Sequence, residues 1–159
     1  MPQALADKDA CDLLDADHIA VKHLFVEYAR LAVAAPTDSA AQREALAQKI
    51  CSELTVHAQI EEEIFYPALR EALGIDALVD EAEAEHQQAR ELIAQVEAAG
   101  AAGPQMDDLV AQLARAIEQH VKEERDDLFT KARAADGLDL MALGQKLKER
   151  QGELQGQVA

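Results

Sequence analysis

Four long stretches of this chain carry apolar residues at helical spacing and contain no glycine, and this feature constrains the fold more than any other. Glycine, proline and capping residues instead form four breaks: "AAPTDSA" (34–40), Gly74 with Asp76, "AAGAAGPQMDD" (98–108) and "ADGLD" (135–139). Residues of these types end helices and begin turns. We therefore predict helix A near 8–33, helix B near 39–73, helix C near 76–98 and helix D near 106–134.

Long helices joined by short turns pack side by side and alternate in direction. The sequence thus predicts an all-α fold, an up-down-up-down four-helix bundle over about 8–134 with a short additional C-terminal helix over about 138–155. This fifth helix, "LMALGQKLKERQGEL" (140–154), is amphipathic and is expected to lie against one end of the bundle. With 159 residues and 49% hydrophobic content, the chain is predicted to form a single domain over 1–159.

The charge of the chain argues against two classes of partner. Its 31 acidic and 15 basic side chains give a formal charge of −16, which repels nucleic-acid phosphates and anionic lipid surfaces. The N-terminus lacks a basic segment followed by a long apolar one, and no window approaches the ~20 apolar residues that span a bilayer. We predict a cytoplasmic protein that binds neither nucleic acid nor membrane.

The two cysteines, Cys11 and Cys51, lie forty residues apart on different predicted helices. This spacing fits neither a zinc site nor a disulfide framework. Because a free cysteine usually behaves as a small core residue, we predict two reduced and packed thiols.

One histidine lies on the apolar stripe of each long helix. Residues three, four or seven positions away share a helix face, and at these spacings the neighbours of each histidine are apolar. The stripes are Leu14, Val21 and Phe25 around His18; Ile50, Leu54 and Ile64 around His57; Val79, Ala89 and Ile93 around His86; and Leu113 and Ile117 before His120. All four imidazoles are therefore predicted to face the interior.

Glu61 and Glu124 follow His57 and His120 by four residues, on the same stripes. A lone inward histidine is more often a hydrogen-bonded core residue than a ligand. Six polar groups on four helices are a different case, because the negative charges of two buried carboxylates need a positive charge nearby and no basic side chain lies on the stripes. A divalent or trivalent metal ion supplies that positive charge. Imidazole with carboxylate and no thiolate suits iron or manganese, with zinc as a substitute.

The number of these groups predicts two metal ions. Four imidazoles and two carboxylates exceed the needs of one tetrahedral zinc, whereas two ions about 3.5–4 Å apart can each take two imidazoles and share both carboxylates. Internal similarity agrees: "ADHIAVKHLF" (16–25) aligns with "AEHQQARELI" (84–93), and the segments of His57 and His120 align with each other. We predict two helical hairpins related by approximate two-fold symmetry.

The ordered pattern of these residues resembles the hemerythrin-like (HHE cation-binding) domain. The pattern is a histidine in helix A, His-x-x-x-Glu in B, a histidine in C and His-x-x-x-Glu in D, and the phrases "DLLDADHIAVKHLF", "ELTVHAQIEEEIFYPAL" and "HVKEE" are similar to its bacterial members. The resemblance runs from about 8 to 134. It implies a non-heme di-iron centre bridged by both glutamates, with the metal ligands His18, His57, Glu61, His86, His120 and Glu124.

The chain departs from the oxygen-carrying members at two positions. These members resemble it in helices A and B but have a second histidine in helix C, where this chain has Arg90, and His-x-x-x-x-Asp in helix D, where this chain has Arg125. Two iron ions with an oxo or hydroxo bridge would then each keep one free position. Manganese or zinc could replace the iron. This arrangement favours reactive or iron-handling roles over simple oxygen carriage.

Two classes of function follow from the resemblance. The first is a di-iron protein that binds or reacts with a small ligand such as oxygen, nitric oxide or hydrogen peroxide; as an enzyme it would be a di-iron oxidoreductase. The alternative is an iron-binding module for sensing, storage, donation or repair of iron centres, without turnover. A third, purely structural role for the polar groups predicts no metal. A homodimer through the C-terminal helix is the remaining expected assembly.

Several residues near the six receive lesser predictions. His23 lies about 140° around the helix from His18 and is expected to face solvent. Glu62, Glu63 and Glu123 are interpreted as a solvated acidic face, with Glu62 the best replacement ligand. Phe25, Phe65 and Phe129 are interpreted as core packing that keeps water from the metals. Tyr66 could serve as a radical or hydrogen-bonding group near the site, but its helical phase does not match the ligand stripe, which argues against this role.

Overall fold

The computed structural model of the protein describes residues 8–158, with residues 157 and 158 described by their backbone alone. Every regular element in this range is a helix. None of these helices combines the length and hydropathy needed to pass through a bilayer. The elements are α1 (Ala10–Ala34), α2 (Ala40–Ile60), a first π-helical turn (Glu61–Phe65), α3 (Tyr66–Leu73), α4 (Asp76–Ala99), α5 (Pro104–Glu123), a second π-helical turn (Glu124–Phe129), α6 (Thr130–Ala134) and α7 (Leu140–Val158). The predicted all-α class is confirmed as a helical bundle.

The ends of the helices fall at the predicted breaks. α1 begins after Asp9, whose carboxylate accepts a hydrogen bond from the Asp12 N–H at 2.8 Å, while the Asp12 carboxylate accepts one from the Asp9 N–H at 3.4 Å. This reciprocal pair satisfies two N–H groups that the first turn of a helix leaves free. α3 and α4 end at Gly74 and Gly100, whose positive φ angles of 63° and 68° place them in the left-handed region that favours glycine.

Predicted helices B and D are each interrupted by a π-helical turn, where a continuous α-helix was expected. A π-helical turn closes hydrogen bonds between residues five apart and so holds one residue more than an α-helical turn. In the first turn, the Tyr66 N–H donates to the Glu61 carbonyl. The first turn begins at Glu61 and the second at Glu124. Because such turns occur frequently at functional sites, their coincidence with the two predicted glutamates marks this level of the bundle.

The core consists of two apolar clusters with a polar layer between them. Leu14 belongs to the first cluster, which includes residues from α7, and Val21 belongs to the second. His18 lies between these two residues on α1, and the inward histidines of α2, α4 and α5 occupy equivalent places along their helices. The polar layer therefore crosses the bundle at one level.

The C-terminal helix, α7, is longer than predicted and packs against α1, α2 and the first π-helical turn. Its buried residues Leu143, Leu147 and Leu154 complete the first core cluster. Gly144 lies where α7 meets the start of α1, and a Cβ atom at this position would lie 2.8 Å from the Lys8 carbonyl oxygen and 3.0 Å from the Ala10 nitrogen. The two backbones can approach this closely because glycine has no side chain.

Both cysteines are free and buried, as predicted. Cys11 lies in the first core cluster and Cys51 in the second. Burial raises the pKa of the Cys11 thiol to about 12 and that of the Cys51 thiol to about 11. Both sulfur atoms therefore stay protonated at neutral pH.

A buried arginine joins three helices near the second core cluster. Arg43 on α2 donates from Nη1 to the two carboxylate oxygens of Asp107 on α5, at 2.6 and 2.8 Å. Its Nε donates to the Ser39 hydroxyl at 2.9 Å, and its Nη2 donates to the Pro36 carbonyl. The Tyr28 hydroxyl on α1 donates to the same Asp107 carboxylate at 2.7 Å. The network connects α1, α2 and α5 to one another.

Replacing Arg43 with methionine should lower the free energy of unfolding of the metal-free protein by about 2 kcal/mol, because its hydrogen-bond partners lose a charged donor that water cannot fully replace. Urea denaturation measures this change. Arg30→Met is the matched control, since Arg30 forms an exposed ion pair with Glu27 and such pairs contribute little. An equal loss in both variants would contradict the prediction.

Candidate metal centre

The six residues predicted from the sequence lie together in the polar layer. The four imidazoles are 4–7% exposed, Glu61 is 0% exposed and Glu124 is 1% exposed. One histidine comes from each of α1, α2, α4 and α5, and each glutamate is the first residue of a π-helical turn. Two overlapping groups have the spacing of metal ligands. The first contains His18, His57, Glu61 and Glu124, and the second contains Glu61, His86 and His120.

The imidazoles form two pairs. The Nε2 atoms of His18 and His57 lie 3.2 Å apart, and the Nε2 atoms of His86 and His120 also lie 3.2 Å apart. Each pair therefore presents two nitrogen atoms to a common point, as two ligands of one metal ion do.

The two carboxylates connect these pairs. Glu61 Oε1 lies 3.2 Å from His57 Nε2 and 3.1 Å from His86 Nε2, so one oxygen is close to both pairs. Glu124 places Oε1 at 3.0 Å from His18 Nε2 and Oε2 at 3.6 Å from His120 Nε2. Both glutamates thus lie between the pairs, where a bridging carboxylate is required.

Each imidazole makes a contact through its other nitrogen, Nδ1, with a carboxylate at the edge of the layer. The pairs and their Nδ1–oxygen distances are His18 with Asp15 at 3.2 Å, His57 with Asp17 at 3.0 Å, His86 with Glu62 at 2.7 Å and His120 with Glu85 at 2.7 Å. A carboxylate on Nδ1 fixes the ring and directs Nε2 inward, as is usual for metal-binding histidines. The sequence analysis missed Asp15, Asp17 and Glu85 in this role. Asp15 alone had a local signal, because it precedes His18 by three residues on the same helix.

The electrostatics of the cluster fit a bound cation. Glu61 Oε2 and Glu124 Oε1 are buried and have no hydrogen-bond partner within residues 8–158. Glu124 Oε1 is close to His18 Nε2 but outside hydrogen-bonding geometry. In the same range the ion-pair partners of both carboxylates are imidazoles alone. A metal ion would compensate both charges, and imidazole with carboxylate is the donor set that iron and manganese accept.

Tyr66 lies inside the cluster as a hydrogen-bonding group, which is the role that its helical phase had argued against. Its hydroxyl donates to Glu124 Oε2 at 2.6 Å and lies 3.3 Å from both Glu61 Oε1 and His86 Nε2. Five residues turn an α-helix by about 140° beyond a full turn. In the π-helical turn five residues close about one turn, so Tyr66 returns to the face of Glu61. Burial and the two carboxylates raise the pKa of the Tyr66 hydroxyl well above its usual range, which keeps the proton on it.

Two arginines hold the carboxylates that contact the histidines. Arg90 Nη2 donates to the Glu62 carboxylate at 2.8 and 2.9 Å, and Arg125 Nε donates to Asp15 Oδ1 at 2.5 Å. These arginines occupy the positions at which the sequence departs from the oxygen-carrying pattern. Glu62 does not join the six residues but contacts His86 from outside. The fifth histidine is exposed, as predicted.

A small cavity lies against the histidine side of the cluster. Its volume is about 30 Å³, and all four ligand-type histidines line it together with apolar residues such as Leu54 and Ile93. A cavity needs roughly 10–15 Å³ by this measure to hold one water molecule, so this one has room for a small molecule. Aromatic rings occupy another side of the cluster, where Phe129 stacks on His18 with ring centroids 5.9 Å apart.

In the metal-free chain, protons take the place of metal charge. Burial lowers the pKa of His86, but hydrogen bonds with Glu61 and Glu62 outweigh it and raise the pKa to about 9. Burial likewise lowers the pKa of His57, yet the charge of Glu61 raises it well above its usual range. For Glu61, burial raises the pKa, but the charge of His57 holds it well below its usual range. Protons and metal ions therefore compete for the same nitrogen atoms.

The pH dependence of stability should consequently differ between the two forms. The raised pKa of His86 stabilises the metal-free fold. This stabilisation is fully present below pH 6.5, which is the pKa of a free imidazole, and it is lost as the pH rises towards about 9. Metal binding requires neutral imidazoles and so strengthens over the same interval. Between pH 6 and 9 the melting temperature of the metal-free protein should fall. The gap between the melting temperatures of the metal-loaded and metal-free proteins should widen over the same interval. Parallel curves for the two forms would refute this.

Comparison with known proteins adds three similarities. The chain matches the family Hemerythrin, described as "Hemerythrin HHE cation binding domain", over residues 9–132. A solved structure of a hemerythrin HHE cation binding domain-containing protein from Mycobacterium kansasii has a TM-score of 0.76 and 26% identity, covering 94% of this chain and 89% of that one. A protein described as a DNA nickase, from Nostoc sp., is 32% identical over 127 residues, or 80% of this chain and 34% of that protein. The chain thus spans about a third of the length of that relative.

Proposed function

The chain belongs to the hemerythrin HHE cation binding domain family, and on this basis we propose that it is a non-heme di-iron protein that binds or reacts with oxygen, nitric oxide or hydrogen peroxide. One observation carries the proposal. Two pairs of imidazoles, with two buried carboxylates between them, line a small cavity of about 30 Å³. A purely structural polar layer needs neither the paired Nε2 atoms nor such a cavity.

In this proposal His18 and His57 would hold one iron ion, and His86 and His120 would hold the other. Glu61 and Glu124 would bind both ions, and the contacts that each carboxylate makes with both pairs support this. With an oxo or hydroxo bridge, each ion would have two imidazoles, two carboxylate oxygens and the bridge, and would keep one position for the small ligand.

The up-down-up-down order of the four long helices is part of the same proposal. α1 and α4 lead from the first core cluster to the second, and α2 and α5 lead back. Contacts between α1 and α2, and between α4 and α5, support two hairpins that each carry one imidazole pair. An approximate two-fold axis would then pass between the two iron ions.

The surrounding residues have three tasks in this mechanism. When bound, the iron pair supplies the ligand positions and the electrons. The carboxylates on the Nδ1 atoms hold the imidazoles in register. The Tyr66 hydroxyl keeps its proton, donates a hydrogen bond to Glu124 Oε2 at 2.6 Å and lies 3.3 Å from His86 Nε2. Phe65 and Phe129 pack edge to face, with centroids 5.8 Å apart, and exclude water from one side of the centre.

The nickase activity of the Nostoc relative is not extended to this chain. The similarity covers only 34% of that protein, which is too little to carry the activity of the whole protein over to this chain. The formal charge of −16 also opposes approach to a phosphate backbone. The homodimer through α7 and the cytoplasmic location remain predictions; Leu143, Leu147 and Leu154 of α7 already pack within their own chain.

The decisive experiment is metal analysis of protein purified without a histidine tag, combined with optical spectra in air, after reduction and after addition of nitric oxide. We expect two iron ions per chain and an oxo-bridge charge-transfer band that changes with the gas. Rapid loss of iron to a chelator, without any change on adding gas, would favour the alternative of an iron-storing or iron-donating module. Failure to bind iron after reconstitution with a ferrous salt would refute both.

A further inference from the structure

The two halves of the candidate metal centre carry aromatic rings at equivalent places. Tyr66 follows one of the two buried glutamates by five residues, and Phe129 follows the other by five. The ring of Tyr66 stacks on His86, with centroids 5.4 Å apart. The ring of Phe129 stacks in the same way on His18, with centroids 5.9 Å apart. Each half of the centre therefore has one histidine covered by one aromatic ring.

The hydroxyl group of Tyr66 is what distinguishes the two halves, because Phe129 has none. This hydroxyl donates to Glu124 Oε2 at 2.6 Å and lies 3.3 Å from Glu61 Oε1. Within residues 8–158, no other side chain apart from the histidines donates a hydrogen bond to either glutamate. Glu61 Oε1 is close to both imidazole pairs, so its contact with the hydroxyl does not favour one pair over the other. The contact with Glu124 does.

The two oxygen atoms of Glu124 face different imidazole pairs. We call His18 and His57 the first pair, and His86 and His120 the second pair. Glu124 Oε1 lies 3.0 Å from His18 Nε2 and has no hydrogen-bond partner within the described chain. Glu124 Oε2 lies 3.6 Å from His120 Nε2 and accepts the hydrogen bond of the tyrosine. The oxygen that faces the second pair is thus shared with a proton donor, and the oxygen that faces the first pair is not.

A hydrogen-bond donor on a carboxylate and an acceptor on an imidazole have opposite effects on metal binding. The carboxylates on the Nδ1 atoms make the imidazoles more basic and so strengthen their bonds to a metal ion. A hydrogen bond donated to a carboxylate stabilises the negative charge of its oxygen, and it is stronger when that oxygen keeps its full charge. A metal ion draws the charge away and weakens the hydrogen bond. An oxygen that accepts such a bond therefore binds a metal ion less tightly.

We propose that Tyr66 makes the two metal positions unequal, so that the second pair holds its ion less tightly than the first. The proposal rests on the proposed function, because it assumes that the centre takes two ions. Tyr66 acts through Glu124 and is a positioning residue in this role. In consequence the protein passes through a form with one ion, held by the first pair, both when it is loaded and when it releases metal. The second pair is the position that exchanges its ion with the medium.

The test measures the affinity of each position separately. His86→Ala disables the second pair and leaves the first intact, and His18→Ala does the reverse. Each variant is made with and without Tyr66→Phe, and anaerobic titration with ferrous iron in competition with a chelator gives the affinity of the remaining position. The wild type and Tyr66→Phe, with all four histidines present, are titrated in parallel. Tyr28→Phe is the matched control, because the Tyr28 hydroxyl also donates to a carboxylate, that of Asp107, away from the centre.

We expect the second pair to bind ferrous iron about tenfold more weakly than the first, which is the lower end of what a hydrogen bond to a charged group contributes. Tyr66→Phe should raise the affinity of the second pair about tenfold and leave that of the first unchanged. With all four histidines present, the two-step titration of the wild type should become a single step of two ions. Tyr28→Phe should bind both ions as the wild type does.

Two results would overturn the inference and leave the di-iron centre in place. One is equal affinity of the two positions while Tyr66 is present. The other is a Tyr66→Phe variant that binds iron more weakly at the second pair or changes both pairs alike, because the hydrogen bond would then support metal binding or act on the whole centre. A wild type that binds no iron would overturn the inference and the proposed function together.

Discussion

Replacing Glu61 with alanine should abolish binding at both metal positions, although a single side chain is changed. Its Oε1 atom lies within 3.2 Å of an imidazole nitrogen from each pair. In the proposed di-iron centre the variant would therefore remove a ligand from both ions and leave one carboxylate to balance them. Loss of residues that merely orient ligands typically weakens metal binding by about 10–100-fold, and loss of a shared ligand should exceed about 100-fold. Metal content of the purified protein, measured by mass spectrometry of the elements, checks this result.

The same variant should also lose the stabilisation that metal provides. At a free metal concentration of about 100 times Kd, binding stabilises the folded state by about 2.7 kcal/mol. For a chain of this length that corresponds to about 5–10 °C in Tm. Glu61→Gln keeps the shape of the side chain and should lose the metal equally. Glu63→Gln is the matched control, because Glu63 lies in the same π-helical turn but faces Arg150 at the surface. Wild-type metal content in Glu61→Gln would show that this carboxylate is not a ligand.

Replacing Gly144 with alanine should destabilise the protein by about 3 kcal/mol, the upper part of the usual range for overpacking. The added methyl group would lie 2.8 Å from a backbone oxygen of the neighbouring segment, and backbone cannot move aside as a flexible side chain can. α7 would shift away from α1, and Leu147 would lose part of its burial in the first core cluster. Urea denaturation of the metal-free protein measures the loss.

Gly152→Ala is the matched control for this change. Gly152 lies on the same helix, and a Cβ atom there meets nothing within 4 Å. Alanine should therefore stabilise α7 by about 0.5–1 kcal/mol, because glycine is the poorer helix former. The two substitutions are chemically identical and should have effects of opposite sign. Stabilisation by both would mean that α7 can move away from α1 at no cost.

Helix positions and the six candidate ligands could be predicted from the sequence because both follow from local rules. Gly74 and Gly100 end helices through a backbone conformation that favours glycine, and this signal needs no knowledge of the neighbours. The inward direction of His57 and His86 follows from the spacing of nearby apolar residues along the same helix. The structure accordingly places all six predicted residues together.

The features that the sequence did not predict depend on contacts between helices or on a change of helical pitch. The π-helical turn at Glu61 adds one residue to a turn without any change of composition, so the phase argument failed for Tyr66. The contact of Asp17 with His57 joins residues forty positions apart on different helices. In the sequence Gly144 looks like a weak point in a helix, whereas in the fold it is the site of closest approach to α1.

The two buried thiols determine how this protein can be handled. Reactive dyes and oxidants attack the thiolate, and neither Cys11 nor Cys51 forms one at neutral pH. A new cysteine at an exposed turn residue such as Ala101 would consequently be labelled alone, without first removing the native pair. A fluorophore attached there could report on the filling of the centre through its emission, since many transition-metal ions quench nearby fluorescence.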